Sequence, residues 1–242
     1  MSTPPLPRTA RLQPVRALRA VRRLLKNPEE TEHVFEILDA LRGRSSERGF
    51  RKLNRLRPDL VAEQPEMLAF LSDRTALAEL PAGSLGREYL AFCEREGITA
   101  DGLVEASDAI RTRRGGGGGG DVEWFERRGR DSHDLWHVVT GYGTNTLGEV
   151  CVVTFTAAQT GNLGLAVIAF FGTLRHAREI GLRNSFGPTL EAFLSGRRAA
   201  WLPGMDWRTF VATPLNEVRT RLAIPQPRSY GASLEQLVAQ PA

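Results

Sequence analysis

The chain has 242 residues, of which 41% are hydrophobic and 25% charged, and only two are cysteines. This composition argues against a disordered chain, a membrane-embedded bundle and a disulfide framework, and it predicts one main globular domain in a reducing compartment. Residues 1–28 contain seven bases and no acid, whereas the rest has 25 bases and 28 acids. A basic arm on a mildly acidic body argues against nucleic acid as a partner and favours an anionic membrane surface or an acidic protein.

The basic arm, residues 1–26, begins with a proline-rich lead-in that predicts no regular structure. Apolar residues then recur at helical spacing with arginines between them, at Val15, Leu18, Val21 and Leu25. Such a helix could lie on a membrane surface, but packing of its apolar stripe on the body is the favoured interpretation. The arm is acid-free like an organelle transit peptide, yet the predominance of arginine over lysine favours a bacterial cytoplasmic protein.

Three short helical patterns follow the arm, and no alternating strand pattern accompanies them. The stretch ELPAGSLGREYLAFCEREG then predicts a helix capped by Ser84 and ending near Gly97. Six consecutive glycines at residues 115–120 indicate a flexible insertion. A phosphate-binding loop would need a preceding strand and a following helix with Lys and Ser or Thr, and neither is present.

The stretch HDLWHVVTGYGTNTLGE, residues 133–149, predicts a metal site. On a helix, His133 and His137 project from one face, and Asp134 lies on its flank. Glu149 follows His137 by twelve positions, after a break that contains Gly141 and Gly143. Imidazole and carboxylate groups are ligands of divalent metals such as zinc, which keeps an open position where it is catalytic.

Three other interpretations of this stretch stand beside the metal site. Two histidines at this spacing occur by chance on helices as exposed or core residues. The sequence TLGE from Thr146 fits a capping box, in which Glu149 binds the helix start; this role is compatible with metal binding. A metallopeptidase would need glutamate where Asp134 stands, and the shorter side chain argues against that chemistry.

Residues 150–174 carry no charge and are numerous enough to span a bilayer. The threonines of this segment, together with Gln159 and Asn162, are too polar for a lipid-facing helix, and Gly161 to Gly164 supplies a break. The pattern therefore favours two buried helices instead. Small residues in this region permit close helix approach or leave room for a long apolar ligand, which makes a lipid-binding groove an expectation. They are Ala157, Ala158, Gly161, Gly164 and Gly172.

The C-terminal third completes a predicted all-α fold with a single, mostly helical domain at residues 27–225. A turn at Gly187 and Pro188 is expected to start a helix that ends at Gly196. Pro214 is expected at the start of another helix, with Val218 and Leu222 on one face. Residues 226–242 are predicted to be a loose C-terminal tail.

Residues 133–149 resemble the signature of the ubiquinone-biosynthesis protein Coq-four family. The shared pattern is HDxxH followed by eleven residues and E, and the glycines of TGYGTNTLGE match as well. Two further segments are similar to that family, ELPAGSLGREYLAF to an upstream helix and DWRTFVATPLNEVRTRLAI to the closing segment. The resemblance covers residues 27–225. Its closing segment rests on Trp207, Pro214, Leu215, Val218, Arg219, Leu222 and Ile224.

The resemblance implies an all-helical protein attached peripherally to the inner face of the cytoplasmic membrane, or to the matrix side of the inner membrane in a mitochondrion. It implies a polyprenylated quinone precursor and other coenzyme Q biosynthesis enzymes as partners, and it is compatible with a homodimer. By position, the metal ligands and catalytic residues are implied to be His133, Asp134, His137 and Glu149, with zinc as the expected metal. The polyglycine insertion and the long arm depart from the family pattern.

Two functions follow from the resemblance. The first is metal-dependent oxidative decarboxylation of a polyprenyl-4-hydroxybenzoate derivative, with hydroxylation at C1, by a carbon-carbon lyase of the 4-hydroxy-3-methoxy-5-polyprenylbenzoate decarboxylase type. The polyprenyl tail would lie on the apolar helices after Glu149, and the sequence identifies no electron acceptor. The second is a non-catalytic lipid-binding scaffold that organises the other enzymes.

Overall fold

The structure, a computed structural model, describes residues 12–26, 32–41, 44–99 and 120–239. These ranges form fourteen α-helices and two short 3-10 helices without a β-strand, which confirms the all-α prediction. The prolines before residue 12 and all but the last glycine of the predicted insertion lie outside the described residues. The α-helices, in chain order, are α1 Pro14–Lys26, α2 Glu32–Ala40, α3 Ser45–Leu56, α4 Pro58–Glu63, α5 Met67–Ser72, α6 Arg74–Ala78, α7 Leu85–Arg95, α8 Asp121–Asp131, α9 His133–Thr140, α10 Thr146–Thr160, α11 Leu163–Ile180, α12 Leu182–Arg198, α13 Leu215–Arg221 and α14 Arg228–Ala239.

Helix α10 forms the centre of the fold, with Cys151 and Phe155 fully buried and α11 and α12 packed against it. The predicted break lies at Gly161, which has a φ of +63° that favours glycine. A Cβ atom on Gly172 of α11 would lie 2.7 Å from Val150 Cγ2 of α10, so this glycine permits close helix approach. In the described ranges, every helix is too short or too polar to cross a bilayer.

The start of α7 is joined to the segment before α13. Ser84 is the predicted N-cap, and its hydroxyl accepts a hydrogen bond from the Arg87 amide. The Leu85 amide donates to the Thr213 carbonyl at 2.9 Å, next to the isolated bridge between Ser84 and Pro214. Two segments that resemble the family in sequence are therefore in contact in the fold.

The predicted helix start at Gly187 and Pro188 is wrong, because α12 begins at Leu182 and continues through both residues to Arg198. A proline inside a helix removes the donor for the carbonyl four residues earlier, here Asn184. That carbonyl instead accepts a hydrogen bond from Ser233 Oγ of α14 at 3.1 Å. A contact with a distant helix therefore offsets a local helix-breaking signal.

The predicted loose tail is also wrong for most of its length, because residues 228–239 form α14, which packs on α12. The Glu191 carboxylate of α12 accepts hydrogen bonds from the Arg228 and Ser229 amides at 3.0 and 2.7 Å. Free amides at a helix start need such acceptors. This cap comes from another helix and leaves no local signal in the sequence.

Helix α1 packs on α2 and α11, as the favoured interpretation of the arm expects, but of the predicted stripe residues Val15, Leu18 and Val21 its buried face contains only Val21, together with two alanines. Its buried residues are Ala17, Ala20 and Val21. Val15 and Leu18 of the predicted stripe are 62% and 47% exposed. Alanine permits closer packing of α1 than the bulky residues would, so the buried face is rotated from the predicted one.

Candidate metal centre

Three side chains of the predicted site converge, His133 and His137 from α9 and Glu149 from the first turn of α10. One ligand atom from each can be chosen so that all lie within 4.8 Å of one another. Glu149 Oε1 is 3.4 Å from His137 Nε2, and Glu149 Oε2 is 3.8 Å from His133 Nε2. The structure thus brings together three of the four predicted residues.

The loop between α9 and α10 determines this convergence. Helix α9 ends at Thr140 and is followed by Gly141, whose φ of +80° lets the chain turn back. Helix α10 is capped by Asn145, whose side-chain oxygen accepts a hydrogen bond from the Gly148 amide at 2.9 Å. The predicted capping box is wrong, since the cap is Asn145 and not Thr146, which places Glu149 one residue beyond the capping-box position.

His137 is held in the orientation that a metal ligand requires. Its Nδ1 lies 3.0 Å from the Tyr142 carbonyl oxygen, which can only accept, so Nδ1 carries the proton and Nε2 has the free lone pair. His137 Nε2 is buried and has no hydrogen-bond partner among the described residues. An orphaned buried nitrogen facing a carboxylate and a second imidazole fits a divalent metal.

Asp134 is outside the group of converging ligand atoms. Its Oδ1 lies 3.4 Å from His133 Nδ1, while His133 Nε2 faces Glu149. A carboxylate next to the outer nitrogen of a metal-binding histidine is a common arrangement that orients the ring. The structure therefore places Asp134 beside a candidate ligand.

The site is buried on one side and accessible on the other. The His137 side chain is 1% exposed, whereas His133 and Glu149 are 38% and 42% exposed. Burial by itself lowers the pKa of His137, but the Glu149 carboxylate, the Tyr142 carbonyl and Asp134 together outweigh it, so that the pKa lies above its usual value. The negative charge that raises this pKa would also attract a cation.

Two residues hold the loop and helix that carry the ligands. Arg219 donates from Nε to the Val139 carbonyl and from Nη2 to the Val138 carbonyl, both at 2.9 Å, at the end of α9. Tyr230 Oη accepts from the Gly143 amide at 3.0 Å and from Asn145 Nδ2 at 2.7 Å. Tyr230 could not be predicted as part of the site, because it lies in the segment that is predicted to be a loose tail.

A cavity of about 410 Å³ lies next to His133. Its wall is formed by parts of α2, α3, α8, α9 and α10, with the start of α11 and Trp201. Leu38, Phe125 and Leu165 supply apolar surface, and Lys52 supplies a positive charge. Small-molecule sites have volumes of this order and mix apolar walls with a few polar groups.

Residues 54–228 match the family model described as coenzyme Q (ubiquinone) biosynthesis protein Coq4. The protein named ubiquinone biosynthesis protein COQ4 homolog, mitochondrial, from Danio rerio is 33% identical over 170 residues, which are 69% of this chain and 59% of that protein. The protein of the same name from Mus musculus is 31% identical over 169 residues, 69% of this chain and 60% of its own. The chain thus spans about three fifths of the length of these curated relatives.

A crystal structure of a candidate ubiquinone biosynthesis protein from Nostoc punctiforme has a similar fold. The TM-score is 0.64 at 21% sequence identity, and the match covers 89% of this chain and 100% of the other. At this identity the likeness concerns the arrangement of the helices.

Proposed function

This chain belongs to the coenzyme Q (ubiquinone) biosynthesis protein Coq4 family, and from that membership we propose that it acts in ubiquinone biosynthesis as a metal-dependent enzyme. The proposed reaction is oxidative decarboxylation at C1 of a polyprenyl-4-hydroxybenzoate derivative. The observation that carries an enzymatic role is the one-sided exposure of the site. Structural zinc sites are closed by four protein ligands, whereas catalytic sites have three and an open position.

We propose that His133, His137 and Glu149 hold zinc and that Asp134 orients His133. Bound zinc would supply a positive charge that attracts the substrate carboxylate and stabilises the electron density left on the ring as that carboxylate departs. The Tyr142 carbonyl keeps His137 in the required tautomer. The cavity next to His133 would hold the aromatic ring and exclude water from it, with Leu38 and Leu165 against the first part of the polyprenyl tail.

Exchange of the carboxylate for a hydroxyl group breaks one carbon-carbon bond and releases carbon dioxide. With water as the formal source of oxygen, two protons and two electrons leave the substrate. The reaction therefore needs an electron acceptor, which is either dioxygen or a partner enzyme of the pathway. Omission of dioxygen from an assay with purified protein distinguishes the two sources.

The variant His133→Ala tests the enzymatic role against the scaffold. We expect metal to be lost and product formation from a short-chain 3-geranyl-4-hydroxybenzoate derivative to stop, while circular dichroism shows the fold retained. His133 is partly exposed, so its loss leaves no large core cavity. Collapse of the fold with loss of metal would instead indicate a structural ion. Normal synthesis by metal-free protein would contradict any catalytic role of the site.

We also propose that the protein binds peripherally to the inner face of the cytoplasmic membrane, or to its mitochondrial counterpart, where its lipid substrate and the other coenzyme Q enzymes meet it. Helix α12 supports this, because its buried face carries small residues such as Ser185 and Ala192 while bulky apolar residues face outward. Exposed patches of this kind mark interaction surfaces. The outward residues, here called the α12 stripe, are Leu182, Phe186, Leu190, Phe193 and Leu194.

The double variant Leu190→Glu, Phe193→Glu is expected to abolish flotation with liposomes that contain anionic lipid. Each side chain contributes about 1.5–3 kcal/mol when fully buried, so we expect membrane affinity to fall by at least about 10-fold. Leu56→Glu is the matched control, because Leu56 is equally exposed but lies outside the stripe. Undiminished flotation of the double variant would rule out the stripe as the membrane contact.

A further inference from the structure

Lys52 of α3 is a cation of the cavity wall that lacks an acidic partner. Its Nζ lies 4.2 Å from the centre of the Trp201 ring, within the range of a cation-π interaction. Among the described residues, the only charge that shifts the pKa of Lys52 is that of Arg55, and no acid contributes. The ring attracts the ammonium group but leaves its charge uncompensated, so a bound anion would be favoured here.

The Trp201 ring that carries this ammonium group is held in place. Its Nε1 donates to the Gln159 carbonyl at 3.1 Å, and the next residue, Leu202, donates its amide to Gln159 Oε1 at 2.9 Å. Phe125 stacks beside it with ring centres 6.3 Å apart. A ring held by a hydrogen bond and a stacked neighbour, on a backbone that is itself anchored, offers a preorganised surface, which lowers the entropy cost of binding.

The charge balance of the cavity also favours an anion. The lining includes Arg48 and Lys52 against Glu126 as its acid, and it also includes Arg130, which is paired with Asp131 outside the lining. Burial, with a smaller contribution from the charge of Arg55, lowers the pKa of Lys52. A partly desolvated ammonium group gains more from an opposite charge than one in water does.

We infer that Lys52 and Trp201 form the subsite for the phenol oxygen and ring of an aromatic acid whose carboxylate faces the candidate metal site at His133. This inference rests on the proposed function. In a 4-hydroxybenzoate the phenol oxygen is para to C1, so the ring carries one acidic group toward each subsite. An ammonium group stabilises the ionised phenol, and the phenolate increases electron density at C1, the carbon that loses the carboxylate.

Binding of two probes tests the inference by calorimetry, with 3-geranyl-4-hydroxybenzoate compared with its 4-methoxy counterpart, which cannot ionise. Wild-type protein is expected to prefer the hydroxy probe. Lys52→Met should weaken binding of this probe by about 10- to 100-fold, the cost of losing a charged hydrogen bond, and leave the methoxy probe unaffected. Lys52→Arg, which keeps the charge, should restore the preference in part.

Two controls accompany this comparison. Arg51→Met removes a charge from the same helix at an exposed position outside the cavity lining and should behave as wild type. Metal content should be unchanged in all variants, and Lys52→Gln repeats the test if the methionine variant is unstable.

The inference would be overturned if Lys52→Met preferred the hydroxy probe over the methoxy probe as strongly as wild type does. It would also be overturned if Lys52→Met bound both probes more weakly by the same factor. These outcomes leave the proposed function intact, because the wild-type protein still binds the aromatic acid. Failure of metal-loaded wild type to bind either probe would overturn the proposed function and the inference with it.

Discussion

Replacing Glu149 with glutamine is expected to lower the affinity for zinc by more than about 100-fold, because loss of a group that only orients a ligand already costs about 10- to 100-fold. Glutamine has the same shape, but it lacks the negative charge that faces both imidazoles. The Glu149 side chain is 42% exposed, so the fold should be retained. Titration against a chelator of known affinity measures the change.

Glu179→Gln is the matched control for this prediction. Glu179 Oε2 lies 3.3 Å from His176 Nδ1, so it forms a second contact between histidine and glutamate. His176 and Glu179 belong to no group of three metal-binding side chains in the described ranges. Zinc affinity should therefore be unchanged in Glu179→Gln. An equal loss in both variants, or no loss in Glu149→Gln, would contradict the assignment of the site.

Gly148→Ala is expected to destabilise the protein by about 3 kcal/mol, toward the upper end of the range for overpacking. The added Cβ would lie 2.0 Å from the Gly143 carbonyl oxygen and 2.9 Å from Tyr230 Oη. The nearer obstacle is backbone, so the loop between α9 and α10 must move. Because Glu149 follows directly, zinc affinity should fall as well. Urea unfolding and the chelator titration measure the two effects.

Gly129→Ala provides the comparison for this substitution. Gly129 also lies in a helix, α8, but an added Cβ would meet no atom within 4 Å. Alanine there should stabilise the helix by up to about 1 kcal/mol. If Gly148→Ala proved as stable as Gly129→Ala, the close contact at the start of α10 would be wrong.

Features that depend on neighbouring residues in sequence could be predicted well. Helical spacing alone places His133 and His137 on one face, and Ser84 caps α7 as expected. The break at Gly161 follows from the conformational freedom of glycine. Each of these depends on interactions within a few residues of the chain.

Features that depend on distant residues could not be predicted in this way. Helix α12 continues through Pro188 because Ser233 satisfies the Asn184 carbonyl, and α14 is capped by Glu191. The site shows the same division. The cap of α10 is Asn145 and not the neighbouring Thr146, and the cavity that contains Lys52 and His133 is assembled from six helices and the Trp201 segment.

We propose that a metal bound by His133, His137 and Glu149 enables removal of the C1 carboxylate. The most direct measurement follows carbon dioxide from 3-geranyl-4-hydroxybenzoate derivatives labelled in the carboxyl carbon, with purified protein and dioxygen. We predict labelled carbon dioxide in equal amount to the C1-hydroxylated product, its loss after chelation and its return with zinc. Tight binding of the labelled acid by zinc-loaded protein, without release of labelled carbon dioxide under dioxygen or with the partner enzymes, would contradict the account and favour a scaffold.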